Sequence, residues 1–264
     1  MTAAFLDYID WSRPWLAHVR NIGERIASSP DWRQELNLCA AAMTLQNHRK
    51  LPIRFALQAD LPPDTAYETF ISNTGCIPTR DNLHDFFNAL VWLTFPRIKV
   101  QLNLLQALEI ERVATQSAMP SRGKLRDAAT IFDENAALLV TSNQALVSAL
   151  HAHEWQDVFV ARRTEFTQTC EVFLFGHALM EKLLAPYKAI TGHAWVVALD
   201  ADLASIDLAE QCNVIDAAVA QQLAHGLSTA DFSPLPVLGV PGWWAGQDEA
   251  FYQDASVFRP KRKT

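Results

Sequence analysis

The sequence lacks the signals that identify common membrane, disulfide-rich and nucleotide-binding proteins. Its 264 residues contain no apolar run near the roughly 18 residues that a membrane-spanning helix needs. It has no glycine-rich phosphate loop, nucleophile elbow or dinucleotide fingerprint, which disfavours kinases, common esterases and Rossmann dehydrogenases. The cysteines lack the spacing of a zinc knuckle or redox motif and stand at Cys39, Cys76, Cys170 and Cys212. We therefore expect them to be reduced packing residues.

Basic charge is also scarce. The formal net charge is -7, and a basic run occurs only at the C-terminal end, over residues 259–263. Broad nucleic-acid binding needs a basic face, so we do not expect it. Asp7, Asp10 and Arg13 interrupt the apolar residues near the start, which does not fit a signal peptide. These features predict a cytoplasmic protein without a membrane span, whose partner is a small molecule or another protein.

The spacing of apolar residues predicts an α+β fold that is mostly helical. A central helix pair is expected from Pro78 to Leu108, where Pro96 ends the first helix and starts the second. Helical spacing also recurs over residues 4–28, 32–44, 65–73, 143–189 and 208–227.

The remaining patterns predict a small sheet and an extended C-terminal segment. Short strands are expected near residues 53–58, 130–140 and 194–199. Within the second of these, Asp133-Glu134-Asn135-Ala136 is expected to be the turn of a tight hairpin. The C-terminal part is rich in proline, glycine and aromatic residues, so it should follow an extended path and dock its rings on the domain.

The first candidate site is a polar stripe on the first helix of the central pair. His84, Asn88 and Trp92 repeat at four-residue spacing, with Asp85 beside them, on a helix apolar enough to be buried. Buried polar groups need partners, so these side chains either bond to nearby backbone or form a ligand-binding or catalytic cluster. In the structural alternative, Asn82 caps the helix and Asp85 is the acid of a capping arrangement.

The second candidate is a histidine and a carboxylate one helical turn apart. His177 and Glu181 can together hold a metal, or the acid can orient the imidazole for proton transfer. They can equally form a structural pair, since the second histidine of a zinc-protease helix is missing. If His84 and Asp85 converge with them, the set would suit zinc, manganese or non-haem iron.

The third candidate is an anion site at the start of the central helix pair. Free N–H groups and the helix dipole attract anions there, and the residues that could bind one are Thr79, Arg80, Lys99 and Arg126. Alternatively, Arg80 pairs with Asp81 or Asp127 and binds no ligand. The polar residues expected to support these sites are Asn82, Asn88 and Asp127.

Several short motifs occur together over roughly residues 50 to 260. They include LPIRF from Leu51, YE from Tyr67, IPTR from Ile77, NALVW from Asn88, FP at Phe95, FDE from Phe132, FGHA from Phe175, PGWW from Pro241 and VFRP from Val257, together with Asn82, His84-Asp85, Lys99, Leu102-Asn103, Arg126-Asp127, Glu181 and Phe251-Tyr252. In combination they resemble a bacterial family called domain of unknown function 3025. The resemblance implies one domain over residues 1–264, with a helical part at 1–48 and a family-like core at 50–260. It implies no activity. Ala136 departs from the glycine expected after the Asp-Glu-Asn turn.

Different classes of function fit these observations. The first is an enzyme, such as a metal-assisted hydrolase in which His84, Asp85, His177 and Glu181 are metal ligands or acid and base. The second is a non-catalytic binding or interaction protein, which should expose an aromatic patch at residues 243–244. The third is an anion-binding site near Arg80. The sequence leaves open whether the chain is an enzyme, and it identifies no substrate.

Overall fold

The computed structural model describes residues 4–115, 123–199 and 203–261 and has an α+β fold. Arg262 and Lys263 of the basic C-terminal run lie outside the described residues. The helices are α1 (Ala17–Ala27), α2 (Trp32–Ala42), α3 (Tyr67–Thr74), α4 (Leu83–Thr94), α5 (Pro96–Thr115), α6 (Lys124–Asn135), α7 (Gln144–Ala152), α8 (Arg163–Thr169), α9 (His177–Lys182), α10 (Leu208–Ala224) and α11 (Glu249–Tyr252). The strands are β1 (Arg54–Leu57), β2 (Cys76–Thr79), β3 (Ala136–Val140), β4 (Glu171–Leu174), β5 (Thr191–Val197) and β6 (Ser233–Pro236). One π-helical segment spans Asp157–Ala161, and short 3₁₀ segments add further turns.

The strands form two small sheets. The larger sheet has the order β4-β3-β5-β6, in which β3 and β5 are parallel and the two outer pairs are antiparallel. Every residue of β3 is buried, as expected for the apolar sequence AALLV at the centre of a sheet. The smaller sheet pairs β1 with β2 in parallel. The strand predicted near 53–58 is therefore present, but it lies in a different sheet from the other two predicted regions.

The central helix pair is confirmed, and its boundaries follow from local chemistry. The side chain of Asn82 accepts a hydrogen bond from the backbone N–H of Asp85 at 2.8 Å, which caps the start of α4. Pro96 begins α5 directly after Phe95, because proline lacks an N–H but fits the first turn of a helix. Helix α4 is buried over most of its surface and packs against α1, α5 and α9. Polar side chains on α4 must therefore find partners inside the protein.

The expected hairpin at 130–140 is wrong. Residues Lys124–Asn135 form helix α6, so Asp133 and Glu134 lie on a helix and not in a turn. Ala128, Ala129 and Phe132 recur at helical spacing and bury one face of α6, and this packing outweighs the short apolar run that suggested a strand. The chain enters β3 immediately after the helix.

Two other differences concern strands. The helical expectation over 143–189 fails at β4, because pairing with β3 draws Glu171–Leu174 into the sheet. Strands β2 and β6 were not expected, because Pro78, Pro234 and Pro236 suggested breaks in regular structure. Both are edge strands, where proline is tolerated.

The C-terminal segment docks its aromatic rings on the domain, as expected. Phe251, Tyr252 and Phe258 are buried in the core. Trp243 and Trp244 are partly buried against the same core, and the ring centroid of Trp243 lies 6.2 Å from that of Trp15. These tryptophans form neither a fully exposed patch nor a fully buried one. Among the described residues, no helix has both the length and the apolar character needed to cross a membrane.

Candidate functional site

The structure brings together three of the predicted site residues from two helices. His84 on α4 and His177 on α9 face each other, with their Nε2 atoms 3.0 Å apart. The other ring nitrogen of His84, Nδ1, lies 3.0 Å from Oε2 of Glu181, which is one turn after His177 on α9. These contacts form a continuous hydrogen-bonded chain from a carboxylate through two imidazoles. The side chain of Glu181 is 41% exposed, whereas that of His177 is only 6% exposed, so the chain runs from the surface inward.

A glycine allows α9 to approach α6 closely enough to complete this arrangement. A Cβ atom on Gly176 would lie 2.5 Å from the backbone of Glu134 and Asn135 at the end of α6. Because no larger residue fits there without a shift, the start of α9 packs directly on the end of α6. This packing leaves Nδ1 of His177 at 3.9 Å from Oδ2 of Asp133.

Asp133 extends the network into the protein interior. Lys99 of α5 donates to Oδ1 of Asp133 at 2.5 Å and to the side-chain oxygen of Asn88 at 2.8 Å. Asn88 in turn donates to the hydroxyl of Tyr67 at 3.1 Å. The nearby cation Lys99 is among the causes that hold the pKa of Asp133 below its usual range against the opposing effect of burial, so this carboxylate is ionised. Asn88 therefore bonds to side chains of two other helices, α3 and α5.

The two facing imidazole nitrogens have a single proton between them. If His84 is neutral, its Nδ1–H donates to Glu181 and its bare Nε2 accepts the Nε2–H of His177. If His84 is protonated, its Nε2–H donates to His177, which then carries its own proton on Nδ1 beside Asp133. Burial lowers the pKa of His177 to about 4, which disfavours a positive charge on that ring. The pair can therefore gain or lose a proton while its rings stay in place.

The predicted residues of the anion site have different partners from those expected. The backbone N–H, Nε and Nη2 of Arg80 all donate to the carboxylate of Asp85, at 2.6, 3.0 and 2.9 Å. Arg80 thus pairs with Asp85, and Asp81 pairs with Arg33 at 2.7 Å. The buried hydroxyl of Thr79 donates to the carbonyl of Ile77. Arg80 and Asp85 thus form an ion pair without net charge on the same cavity wall as the imidazoles.

The remaining residues predicted for the anion site are Lys99 and Arg126, with Asp127 as a supporting residue. Lys99 is buried, and its ammonium bonds to Asp133 and Asn88, which leaves it little capacity for an external anion. Arg126 lines the same cavity as the imidazoles, and its Nε atom has no hydrogen-bond partner among the described residues. Asp127, a predicted supporting residue, is exposed.

The partners of the four predicted metal ligands decide which of their atoms could bind an ion. Within residues 4–115, 123–199 and 203–261, no three His, Cys, Asp or Glu side chains are arranged to hold one ion. Asp85 is bound by Arg80, and Glu181 lies on the Nδ1 side of His84, away from the Nε2 atom that faces His177. A metal at this position would take two Nε2 ligands from the protein and its remaining ligands from water or substrate. The four-residue metal set stays a prediction.

A cavity of about 500 Å³ opens beside the network. Its lining includes Tyr67, Glu68, Arg80, His84, Asp133 and His177. Such a volume suits a small molecule, and the wall is polar and carries several titratable groups. Burial, and then the nearby charge of Asp133, raise the pKa of Glu68 to about 7. Titratable groups with shifted pKa values in a cavity are typical of functional sites.

Sequence reasoning missed part of this cavity. Asp133 was assigned to a turn, although its neighbourhood contributed to the resemblance to a known family. Tyr67 and Glu68 contributed to the same resemblance, yet their short helix carried no pattern that pointed to a site. Asn103, which donates to Glu68 at 2.7 Å, also belonged to a motif of the family and to no pattern that pointed to a site. For Asp133, Tyr67, Glu68 and Asn103, the family motifs were therefore the available sequence signal of a site.

Comparison with known proteins places the chain in a family. A family model described as "Protein of unknown function (DUF3025)" matches residues 53–262. The chain belongs to this family, and the match covers the cavity and the helices that surround it. No curated protein and no solved structure matches the chain.

Proposed function

We propose that this protein is an enzyme that uses the His84–His177 pair for acid–base chemistry on a small polar substrate, with hydrolysis as the preferred reaction type. The observation that carries the proposal is the hydrogen-bonded imidazole pair on the wall of a cavity, with Glu181 and Asp133 beside its outer nitrogens. Histidine is the side chain most often used to move protons in catalysis. A purely structural role would not require two imidazoles and a cavity at one place.

The surrounding residues fit distinct roles in such a reaction. Glu181 accepts the Nδ1–H of His84 and fixes the orientation of that ring. Asp133 lies close enough to His177 to stabilise positive charge that develops on the pair. In the substrate complex, a water or hydroxyl group replaces the ring-to-ring hydrogen bond and gives its proton to an Nε2 atom. General base catalysis of this kind contributes roughly 10²–10⁴-fold to a rate.

Metal-assisted hydrolysis is the alternative form of the same proposal. Two Nε2 atoms are the protein ligands on which it would rest, which is fewer than the three that catalytic zinc sites usually have. Elemental analysis of untagged protein, purified without chelators, tests this form beside His177→Ala. Near-stoichiometric metal that the variant loses would favour it. Metal content that does not depend on His177 would favour metal-free acid–base chemistry.

The non-catalytic alternative has less support. It expected an exposed aromatic patch, but Trp243 and Trp244 are partly buried against the core. It also expected scattered polar groups that satisfy one another locally, whereas His84, His177 and Asp133 converge from three helices at a cavity. Convergence of this kind favours a ligand site.

Conversion of unknown substrates can be tested directly. The protein would be incubated with a bacterial small-molecule extract, and the components consumed and formed would be followed by mass spectrometry. His177→Gln should slow a specific conversion by roughly 10²–10⁴-fold. The matched control is His225→Gln, an exposed histidine at the end of α10, which should leave the rate unchanged. An extract with no His177-dependent conversion would contradict the proposal.

A further inference from the structure

We infer that Glu68 is the second proton-transfer residue of this cavity, and that its carboxyl group gives a proton to the leaving group while the imidazole pair accepts one from water. This inference rests on the proposed function. It adds a residue from a separate helix, α3, to a site built from α4, α6 and α9. It also specifies a substrate whose leaving oxygen or nitrogen needs protonation.

The position of Glu68 is fixed by a buried amide. Asn103 of α5 is 2% exposed, and its Nδ2 donates to Oε2 of Glu68 at 2.7 Å. The same amide nitrogen donates to the backbone carbonyl of Glu68 at 2.9 Å. These two bonds hold the side chain to its own backbone at the cavity wall, so the carboxyl group is oriented before a substrate arrives.

Glu68 differs from two other carboxylates of the cavity in the charge of its bonded partner. Asp85 is bound by the guanidinium of Arg80, and Asp133 by the ammonium of Lys99. A bonded cation favours the ionised form of a carboxylate, and Lys99 is among the causes that keep the pKa of Asp133 below its usual range. Glu68 is bonded instead by the neutral amide of Asn103. Its hydrogen bonding therefore does not force it to be ionised.

The environment of Glu68 favours its protonated form. Burial is the largest cause that raises the pKa of Glu68, and the negative charge of Asp133 adds to it. The hydrogen bond from Asn103 and the cations Lys99 and Arg126 lower it, and the balance is a pKa of about 7, compared with about 4.3 for an ordinary glutamate. Near neutral pH a substantial share of the protein therefore holds Glu68 as a carboxylic acid, the form that can give a proton to a leaving group.

The proton transfers balance over one turnover. Water gives a proton to an Nε2 atom of the imidazole pair, and its oxygen bonds to the electrophilic atom of the substrate. The bond to the leaving group breaks, and that group takes the proton of Glu68. The imidazole pair then releases its proton, and Glu68 regains one, by exchange with solvent. His84 borders solvent through Glu181, whose side chain is 41% exposed, which provides a path for this exchange.

The test compares the wild type and two variants on the conversion identified with the bacterial extract. The wild-type rate should fall above the pKa of Glu68, which is about 7. Glu68→Gln keeps the size and the hydrogen-bonding oxygen, should slow the conversion by roughly 10²-fold or more, and should remove this alkaline limb. The matched control is Glu24→Gln, an exposed residue of α1, which should keep both rate and limb. Retention of the alkaline limb in Glu68→Gln would overturn the inference.

A second measurement separates this inference from the proposed function. Carboxyl ¹³C resonances of glutamate-labelled wild type and Glu68→Gln are compared across a pH titration, and the resonance lost in the variant belongs to Glu68. A midpoint of about 7 is expected. A midpoint near the ordinary value of about 4.3 would overturn the inference but leave the imidazole proposal intact. If no conversion depends on His177, both fail.

Discussion

Replacing Lys99 with methionine tests whether the buried ion pair supports the site. The side chain of Lys99 is 5% exposed and that of Asp133 is 17% exposed, with 2.5 Å between Nζ and Oδ1. Methionine is similar in length and fills the same space without the charge. In the Lys99→Met variant, Asp133 would remain buried without its cation. Asn88 would also lose the donor to its side-chain oxygen.

The expected cost follows from the burial of both partners. Removing one member of a buried ion pair destabilises a protein by about 3–5 kcal/mol, because the remaining charge has no compensation. Replacing both members by apolar residues of similar size is often close to neutral. The double variant Lys99→Met/Asp133→Leu should therefore recover most of the stability that Lys99→Met loses. The expected coupling between the two positions is about 2 kcal/mol or more.

Urea unfolding followed by circular dichroism measures these free energies. The matched control is Lys188→Met, because Lys188 pairs with Asp254 at 2.8 Å but both side chains are about a third exposed, at 29% and 35%. Solvent screens an exposed pair of this kind, so it contributes little to stability. A loss in Lys99→Met as small as in Lys188→Met, or a double variant as unstable as the single one, would refute the reasoning.

Three further changes test the close packing of Gly176, a buried hydrogen bond outside the site, and the titration of His177. Gly176→Ala places a methyl group 2.5 Å from Asn135 and should cost about 1–3 kcal/mol by overpacking; an unchanged melting temperature would contradict the close approach. Asp216→Ala removes the buried acceptor of the Ile98 N–H at 2.9 Å and should cost about 1–3 kcal/mol in urea unfolding; a smaller loss would mean that water satisfies this amide. Folding lowers the pKa of His177 from 6.5 to about 4, so the stability it contributes is complete above 6.5 and is lost as pH falls through that window, by roughly 3 kcal/mol at most. His177→Gln should flatten this dependence of the urea midpoint, and an equal slope in both proteins would count against it.

Local signals were enough to predict the central helix pair. Asn82 has a side chain that caps a helix, and Pro96 can begin a helix but not continue one, so both boundaries follow from residue chemistry. The α+β class also followed from the periodicity. Strands β4 and β6 could not be predicted in this way, since each depends on pairing with a strand distant in sequence. The hairpin error at α6 shows how a short apolar run fits either kind of structure.

The site was predictable in its residue types but not in its connections. His84 and His177 were singled out because each lies on an apolar helix, yet their contact spans 93 positions in sequence. Whether two such helices meet depends on packing, here on the close approach that Gly176 allows. Asp133 was missed because its helix was taken for a turn. The pKa of Glu68 depends on burial and on Asp133, neither of which a sequence pattern reveals.

The imidazole pair itself is open to one direct measurement. Protein labelled with ¹⁵N in histidine would be examined by nuclear magnetic resonance near neutral pH, where the Nε2 atoms of His84 and His177 should share one proton. The account predicts a scalar coupling between these two nitrogens across the hydrogen bond, and its loss in His84→Gln. Two imidazoles that titrate independently, without coupling, would contradict the claim that they act as a pair.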